Sequence, residues 1–363
     1  MQCARCGHVQ LPASAERDRA LHTIAADVTP SRPAAAMDAW LSAQRTLPKS
    51  GESKLLVDVG SSKGEMLLAA SRIGWRVCGV EPAAELAQAA NAAGAPSICA
   101  YFDESVAREI RERYGSGARA IVATNVIANV EQLDEFLGAA GTALDESGVL
   151  IVETQYLRDT IEGVMLDTIH HDHLSYFSAE SLGAALGRAG FGIVDIERVP
   201  AKGGSLRAAA RLGVGHGEKH AALVAEERRA GLRDAEYFAP FSRTLQQCAS
   251  ELDRLLGSQA YERVAGYGSS IGCGTVIAQF ALEGRLEFLV DESIGEGRED
   301  RAFGLRVLSA GELVRSAPEA VVVLAWRFAD QIATKTREYL EGGGAFIVPL
   351  REVHVIGRKG SAV

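Results

Sequence analysis

The sequence predicts an α/β protein whose two domains each hold a mostly parallel sheet. Short apolar runs typical of buried strands alternate with stretches of helical spacing, which is the pattern of βαβ units. This alternation occurs twice, over residues 51–215 and again over residues 259–363. The length of 363 residues also exceeds the roughly 100–200 residues of an ordinary domain.

In the first domain, residues 51–215, strands and helices follow one another. The runs predicted as buried strands are LLVDV, RVCGV, ARAIVAT and GVLIVE. The first two are followed by helical spacing in GEMLLAASRI and AAELAQAANAAG. A further helix is predicted to begin at Ser178 and end at Gly190. FGIVDIERV and SLRAAARL, joined by PAKGG, predict an antiparallel hairpin at the edge of the sheet.

Three further segments complete the predicted organisation. Residues 216–258 mix charged and apolar residues at helical spacing and predict a helical connector. Residues 259–363 predict a second, smaller α/β domain, with strands in RVAGYG, LEFLV, AVVVLAW and AFIVPL and helices from about Ser270 to Leu282 and over ADQIATKTREYL. Residues 1–50, rich in Ala and Pro, are predicted to be an N-terminal appendage.

Composition excludes several classes of function. Hydrophobic residues make up 47% of the chain and charged residues 23%, the balance of a folded globular protein. The net charge is -9, whereas nucleic acids and anionic membranes are bound by clustered cations. No apolar run is long enough to span a bilayer, and no signal peptide is visible. We therefore expect a cytoplasmic protein with a small-molecule substrate, no nucleic-acid or membrane partner, and six free cysteine thiols.

The motif VDVGSSKG indicates a nucleoside site. A strand ends at Asp58-Val59 and is followed by Gly60, Ser61 and Gly64 before a helix begins. Glycines at such a turn let the backbone approach a ligand, and the helix N-terminus offers free N–H groups. Glu81 closes the next strand, about twenty residues on, where a carboxylate accepts both ribose hydroxyls. The spacing is not the dinucleotide GxGxxG and favours S-adenosylmethionine over NAD; a tight turn without a ligand is the alternative.

The motif LDTIHHDHLSYFS places His170, His171, Asp172 and His173 past the strand predicted in GVLIVE. Open α/β sheets bind ligands at this edge. Imidazole and carboxylate groups are the usual general acids and bases near neutral pH, so the cluster is a candidate for proton transfer. A metal site and a helix start with solvated histidines are the alternatives, but no Cys or Glu at ligand spacing accompanies the cluster.

Together these motifs resemble the sugar C-methyltransferases, S-adenosylmethionine enzymes that methylate carbon 3 of nucleotide-linked 4-keto-6-deoxy sugars. The resemblance extends from about Cys3 to Leu350 and is most specific in HHDHLSYFS and KGGSLR. It implies a class I methyltransferase Rossmann-like sheet with an antiparallel edge hairpin, a zinc-binding N-terminal segment, and a C-terminal Rossmann-like α/β domain that binds the sugar nucleotide. It also implies that Asp58, Gly60, Ser61, Gly64, Glu81, Phe102 and Asn125 hold the cofactor, with Phe102 packed on the adenine.

The chain departs from the family pattern at several positions. Where the family has Tyr-His-Glu-His, this chain has His170-His171-Asp172-His173. Asn129 stands where the family has a histidine a few residues after the strand predicted here in ARAIVAT. Cys3 and Cys6 match the second of two family Cys-x-x-Cys pairs, and the first pair would lie before Met1. A closed zinc site needs four ligands, so a shortened zinc segment, a site completed by His8 or His22, and two free thiols all stay open.

The second domain carries its own glycine motif. Gly266-x-Gly268-x-x-x-Gly272 follows a strand and Asp291 ends the next one, close to a dinucleotide fingerprint with one extra residue. Taken alone it is compatible with NAD. We favour a sugar-nucleotide or structural role, because the motif lies where the family has its C-terminal domain and no hydride-transfer residues accompany it.

For methylation at carbon, the acceptor must first lose a proton next to its ketone. The resemblance makes His173 the base, Asp172 the group that orients it or holds the sugar, and His170 the hydrogen-bond donor to the developing oxyanion. Two other classes remain open from these residues. One is methyl transfer to oxygen or nitrogen, which needs only one base; the other is a sugar-nucleotide binding protein without activity.

Overall fold

The computed structural model describes residues 1–11, 54–257 and 261–357. The chain forms two compact units, Met1–Thr160 with His171–Asp234 and Ile161–His170 with Ala235–Val363. The predicted boundaries at residues 215 and 259 differ from these, and the predicted connector 216–258 is divided between the units. Most of the predicted appendage, including His22, lies outside the described residues.

The first unit contains the predicted parallel sheet with its antiparallel edge hairpin. Its strands are β1 (Val9–Gln10), β2 (Leu55–Val59), β3 (Arg76–Val80), β4 (Ser97–Ile98), β5 (Ala118–Thr124), β6 (Leu144–Gln155), β7 (Ser175–Tyr176), β8 (Phe191–Val199) and β9 (Ser205–Leu212). Within the described residues, seven of them form one sheet in the order β4-β3-β2-β5-β6-β9-β8. In this order, neighbouring strands from β4 through β3, β2 and β5 to β6 are parallel. Strand β9 pairs antiparallel with both β6 and β8.

Helices cover both faces of this sheet, which is why its central strands are nearly continuous apolar runs. They are α1 (Glu65–Arg72), α2 (Ala84–Ala92), α3 (Glu104–Tyr114), α4 (Leu133–Ala143), α5 (Leu157–Glu162), α6 (Ala179–Arg188) and α7 (Glu218–Arg229). On one face, Val57, Ile121 and Leu150 belong to a core cluster with residues of α3, α4 and α6. On the other face, Leu56, Val122 and Ile151 belong to a second cluster with Met66 and Leu67 of α1.

Helix α6 begins where the sequence predicts. The Ser178 hydroxyl accepts the backbone N–H of Ser181, and the Ser181 hydroxyl accepts that of Ser178, so the two form a reciprocal capping box. The buried carboxylate of Glu227, from α7, accepts the N–H groups of Ala179 and Glu180 in the same first turn. These bonds join α7 to the first unit and explain why the predicted connector is not a separate segment.

Burial of His220 on α7 predicts a pH-dependent stability. Its Nε2 donates to the carbonyl oxygen of Ala179 at 2.9 Å, and its ring lies 4.5 Å from that of His216. Desolvation lowers the pKa of His220 below 6.5, and His216 lowers it further, whereas the Ala179 bond and Glu180 raise it. The unfolded chain therefore binds the proton more readily, and stability contributed by neutral His220 is lost as pH falls below about 6.5.

We expect His220→Gln, whose amide also donates a hydrogen bond, to flatten the decline of the unfolding free energy between about pH 7 and pH 5. Denaturant titrations at a series of pH values measure this. His354→Gln, at an exposed site in the second unit, is the matched control and should keep the wild-type slope. Equal slopes for the wild type and both variants would show that His220 does not contribute.

The second unit is also α/β. Its strands are β10 (Val264–Tyr267), β11 (Leu289–Val290), β12 (Glu299–Ala302), β13 (Leu305–Leu308), β14 (Ala320–Val323), β15 (Ala345–Val348) and β16 (His354–Gly357). In the part of the chain that the structure describes, they form a seven-stranded sheet in the order β12-β13-β11-β10-β14-β15-β16. The inner pairs are parallel, and the outermost pair on each side is antiparallel.

The helices of the second unit are α8 (Ala239–Gly257), α9 (Ile271–Gln279), α10 (Glu312–Ser316), α11 (Ala329–Lys335) and α12 (Arg337–Glu341). Helix α8 buries Leu245, Cys248 and Leu252 in the core of this unit. The single helix predicted over ADQIATKTREYL is two helices that meet at Thr336, whose hydroxyl bonds the Ile332 carbonyl. No helix among residues 1–11, 54–257 and 261–357 has the length and apolar character needed to cross a membrane.

Candidate active site

The predicted glycine turn lies at the carboxyl edge of the first sheet, directly after β2. Gly60 and Gly64 have φ values of +74° and +85°, in the left-handed region that favours glycine. A Cβ at Gly60 would lie 2.7 Å from Val126 Cγ2, and one at Gly64 would lie 2.5 Å from the Ala95 Cβ. The turn therefore needs glycine at both positions. It leads into α1, whose first residues have no side-chain cap and leave backbone N–H groups at this edge.

Glu81 follows β3 at the same edge, since Val59 and Val80 at the ends of the neighbouring strands are paired. Its carboxylate is 7% exposed and accepts the N–H groups of Ser62 at 2.9 Å and Ala83 at 3.0 Å. An ionised carboxylate has about four acceptor positions. Two hydroxyl donors can still bind, so the residues present fit the ribose of a nucleoside cofactor.

The other predicted cofactor residues lie at the ends of β2 to β5. Asp58 is buried near the end of β2, and Phe102 is half-buried, with its ring 5.4 Å from that of Phe136 in an edge contact. Asn125 adopts φ of +58° directly after β5 and donates its N–H to the Glu153 carbonyl at 2.7 Å. The Ser61 hydroxyl lies 3.5 Å from that of Ser97, the first residue of β4.

The histidine block is divided by the structure. His171, Asp172 and His173 belong to the first unit, whereas His170 ends the 161–170 segment of the second. The N–H of Leu174 donates to the Ala128 carbonyl at 2.8 Å, which holds the segment beside the single-turn helix Ile127–Asn129 that follows β5. This bond places His173 at the same sheet edge as the glycine turn.

Asp172 lies close to His171, its neighbour in the histidine block. Its buried carboxylate lies 3.5 Å from Nε2 of the exposed His171. His173 is half-buried and its ring lies 6.3 Å from that of Tyr176 in an edge contact. Orientation of His173 by Asp172 stays a prediction, as does the role of His170, which rests on the sequence alone.

A row of polar side chains at this edge was missed by the sequence reasoning. Thr124, Glu153, Arg207 and Glu197 are paired in turn across β5, β6, β9 and β8. Glu153 has no exposed surface, and its Oε2 accepts from Arg207 Nε at 2.8 Å. The available signal was the ETQ that ends the apolar run GVLIVETQ, together with the arginine inside SLRAAARL.

The described residues supply only part of a zinc site. Cys3 and Cys6 lie in a turn before β1, which pairs with β7. Hydrogen bonds from the backbone of Cys6 and Arg5 lower the pKa of the Cys3 thiol. The Nε2 of His8 faces the Ser175 hydroxyl at 3.1 Å. Among the residues described, no group of three or more metal-ligating side chains occurs, so these two cysteines do not make a closed site, and all six cysteines are free thiols.

The glycine turn of the second unit is filled by the chain itself. A Cβ at Gly272, in the first turn of α9, would lie 2.2 Å from the Asp167 carbonyl oxygen. Asp167 is held there by Trp326 Nε1 at 3.0 Å and by Arg327 at 2.7 Å. The Asp291 carboxylate accepts from Ser269 and Ser293. The Asp167 carbonyl thus fills the space beside Gly272, and four donors from Ser269 and Ser293 occupy the Asp291 carboxylate, which favours the structural role over NAD.

Comparisons with known proteins agree with these features. A family described as the C-methyltransferase C-terminal domain matches residues 200–351, and a methyltransferase domain family matches residues 34–196. The C-methyltransferase NovU of Streptomyces niveus is 30% identical over 312 residues, which cover 84% of this chain and 74% of that protein. An S-adenosylmethionine-dependent methyltransferase structure from Mesorhizobium loti is 14% identical and covers 49% of this chain and 100% of its own, with a TM-score of 0.39.

Proposed function

The chain belongs to the C-methyltransferase family and is an S-adenosylmethionine-dependent methyltransferase, and from that premise we propose that it methylates carbon 3 of a nucleotide-linked 4-keto-6-deoxy sugar. The observation that carries the proposal is the position of His173. The backbone bond between Leu174 and Ala128 lies at the sheet edge that also carries the glycine turn and Glu81, which supports a position of His173 near the cofactor site. A base and a nucleoside site at one edge are what carbon methylation requires.

We assign cofactor binding to the residues at the ends of β2 to β5. Glu81 accepts the ribose hydroxyls, and Gly60 and Gly64 let the backbone follow the ligand closely. Phe102, half-buried beside Phe136, presents a flat apolar surface suited to an adenine. Asp58 and Asn125 complete the polar boundary of this site. When bound, S-adenosylmethionine supplies an electrophilic methyl group on a sulfonium.

We assign proton removal to His173. A carbon next to a ketone becomes nucleophilic only after it loses a proton, and a neutral imidazole is the common base for this step near pH 7. The electrons of the broken C–H bond move to the ketone oxygen, where hydrogen-bond donors stabilise the enolate. Asn129 lies in the turn that contacts the His173 segment, and its amide is a donor suited to this oxygen.

We assign binding of the acceptor's nucleotide to the second unit. This unit holds residues 235–351 of the C-terminal family match.

Incubation with methyl-labelled S-adenosylmethionine and a panel of nucleotide-linked 4-keto-6-deoxy sugars tests the proposal. The expected product carries the label on carbon 3, located by NMR. Glu81→Ala, which removes the ribose acceptor, is the matched variant and should raise the dissociation constant for S-adenosylhomocysteine. Label on a sugar oxygen would support methyl transfer to oxygen, which Asn129 in place of the family histidine favours, and would overturn carbon methylation.

A further inference from the structure

Gln155 and Thr124 each place a buried polar atom without a hydrogen-bond partner among the described residues on one face of the first sheet, at its carboxyl edge. Gln155, the last residue of β6, is 8% exposed, and its Oε1 has no hydrogen-bond partner within the described chain. The Oγ1 of Thr124, the last residue of β5, is also buried without a partner there. Buried polar atoms in folded proteins nearly always have partners, and those that do not need a reason, such as a ligand.

Both atoms belong to the face of the sheet that carries α1. Val149 and Ile151 of β6 pack in the core cluster of that helix, so the alternation of the strand places Glu153 and Gln155 on the same face. Thr124 is paired with Glu153 in the neighbouring strand. Gln155, two residues along β6, and Thr124, the partner of Glu153 in β5, therefore flank Glu153 on one face. Thr154, between them in the chain, points to the opposite face.

The chemistry of these groups matches a neutral hydroxylated ligand. The Gln155 amide offers one acceptor oxygen and two N–H donors, and the Thr124 hydroxyl both donates and accepts. The charged residues beside them in the strand register, Glu153 and Arg207, are paired with each other at 2.8 Å. A sugar hydroxyl can accept from one group and donate to the other.

We propose that Gln155 and Thr124 form the hydrogen-bonding subsite for a hydroxyl of the acceptor, and that Gln155 determines acceptor specificity. The inference rests on the proposed function, since it takes the acceptor to be a sugar. We assign the hydroxyl on carbon 2. Carbon 2 is bonded directly to the methylated carbon, so it must lie at the same edge of the sheet. A site of this kind discriminates strongly against an analogue without the hydroxyl, because its buried polar groups are then left unpaired.

The test compares the full chain with Gln155→Met on two acceptors, one with a carbon-2 hydroxyl and one without it. With the hydroxylated acceptor we expect kcat/KM to fall about 10- to 100-fold, the usual effect of losing a buried hydrogen bond. With the deoxy acceptor it should change by less than about twofold, since no bond is lost. Thr154→Val removes a hydroxyl that is also buried without a partner in the described chain but lies on the opposite face of the sheet, so it should leave both values unchanged.

Two further measurements keep the outcomes distinct. Thermal unfolding of Gln155→Met should be unchanged or shifted upward, because an unpaired amide is replaced by an apolar group of similar size. Calorimetric binding of the two sugars in the presence of S-adenosylhomocysteine tests the subsite without turnover. Equal losses with both acceptors, or none with either, would overturn the subsite. A wild-type chain that binds the hydroxylated sugar through Gln155 but transfers no methyl group to it would instead overturn the proposed function alone.

Discussion

Replacement of His173 by alanine is expected to lower methyl transfer by about 10²- to 10⁴-fold, the usual contribution of a positioned general base. Binding of S-adenosylhomocysteine should change by no more than a few fold. The physical reason is that His173 lies in the segment held by Leu174 and Ala128, whereas Glu81 and the glycine turn belong to β2, β3 and the loops after them. Single-turnover transfer assays and calorimetry measure the two effects separately.

Solvent deuterium exchange sharpens this test, because it reports proton removal without methyl transfer. With S-adenosylhomocysteine bound, the wild type should exchange the proton on carbon 3 of the acceptor, and His173→Ala should not. His171→Ala is the matched control: this neighbouring imidazole is exposed, so its loss should have a small effect on exchange. If His173→Ala lost cofactor binding and transfer equally, His173 would be structural.

The long, strongly patterned elements could be predicted from the sequence. The buried strands β2, β3, β5 and β6 are apolar on both faces, and such runs are hard to mistake when helices separate them. The start of α6 at Ser178 could be predicted because a capping residue acts through local bonds, here to Ser181. The hairpin of β8 and β9 could be predicted because two glycines interrupt its alternating pattern.

The remaining elements depend on distant contacts that no local pattern reports. Strands β4 and β11 hold two residues each, too few to show a period. β12 is mostly exposed and charged, so it lacks the apolar alternation that indicates a strand. Residues 161–170 belong to the second unit because Leu166 packs in its core and Thr275 Oγ1 bonds the Ile169 carbonyl.

The candidate site shows the same limit. Gly60, Gly64 and Glu81 could be predicted because a strand, a turn and a helix start have fixed spacing in the chain. The row from Thr124 to Glu197 could not, because it exists only through the register of four strands that lie up to about 80 residues apart in sequence. The contact of Asp172 with His171 depends on side-chain directions within a loop, which sequence spacing does not report.

Replacement of Arg207 by methionine is expected to reduce the free energy of unfolding by about 3–5 kcal/mol, the usual loss when one partner of a buried ion pair is removed. The Glu153 carboxylate has no exposed surface, and the Arg207 side chain is 14% exposed. Methionine keeps much of the apolar stem but leaves the buried carboxylate without the guanidinium. Since natural domains are stable by only about 5–15 kcal/mol, denaturant titration should show a large shift of the midpoint.

Two variants separate the buried pair from the other contact of Arg207. Glu197 also pairs with Arg207, but its side chain is 57% exposed, so Glu197→Gln should cost no more than about 1 kcal/mol. The double variant Glu153→Gln with Arg207→Met removes both charges and should recover part of the stability lost by Arg207→Met, because a neutral amide costs less to bury than a carboxylate. If the double variant were no more stable than the single one, the loss would come from packing of the arginine stem and the Glu153 charge would not be its cause.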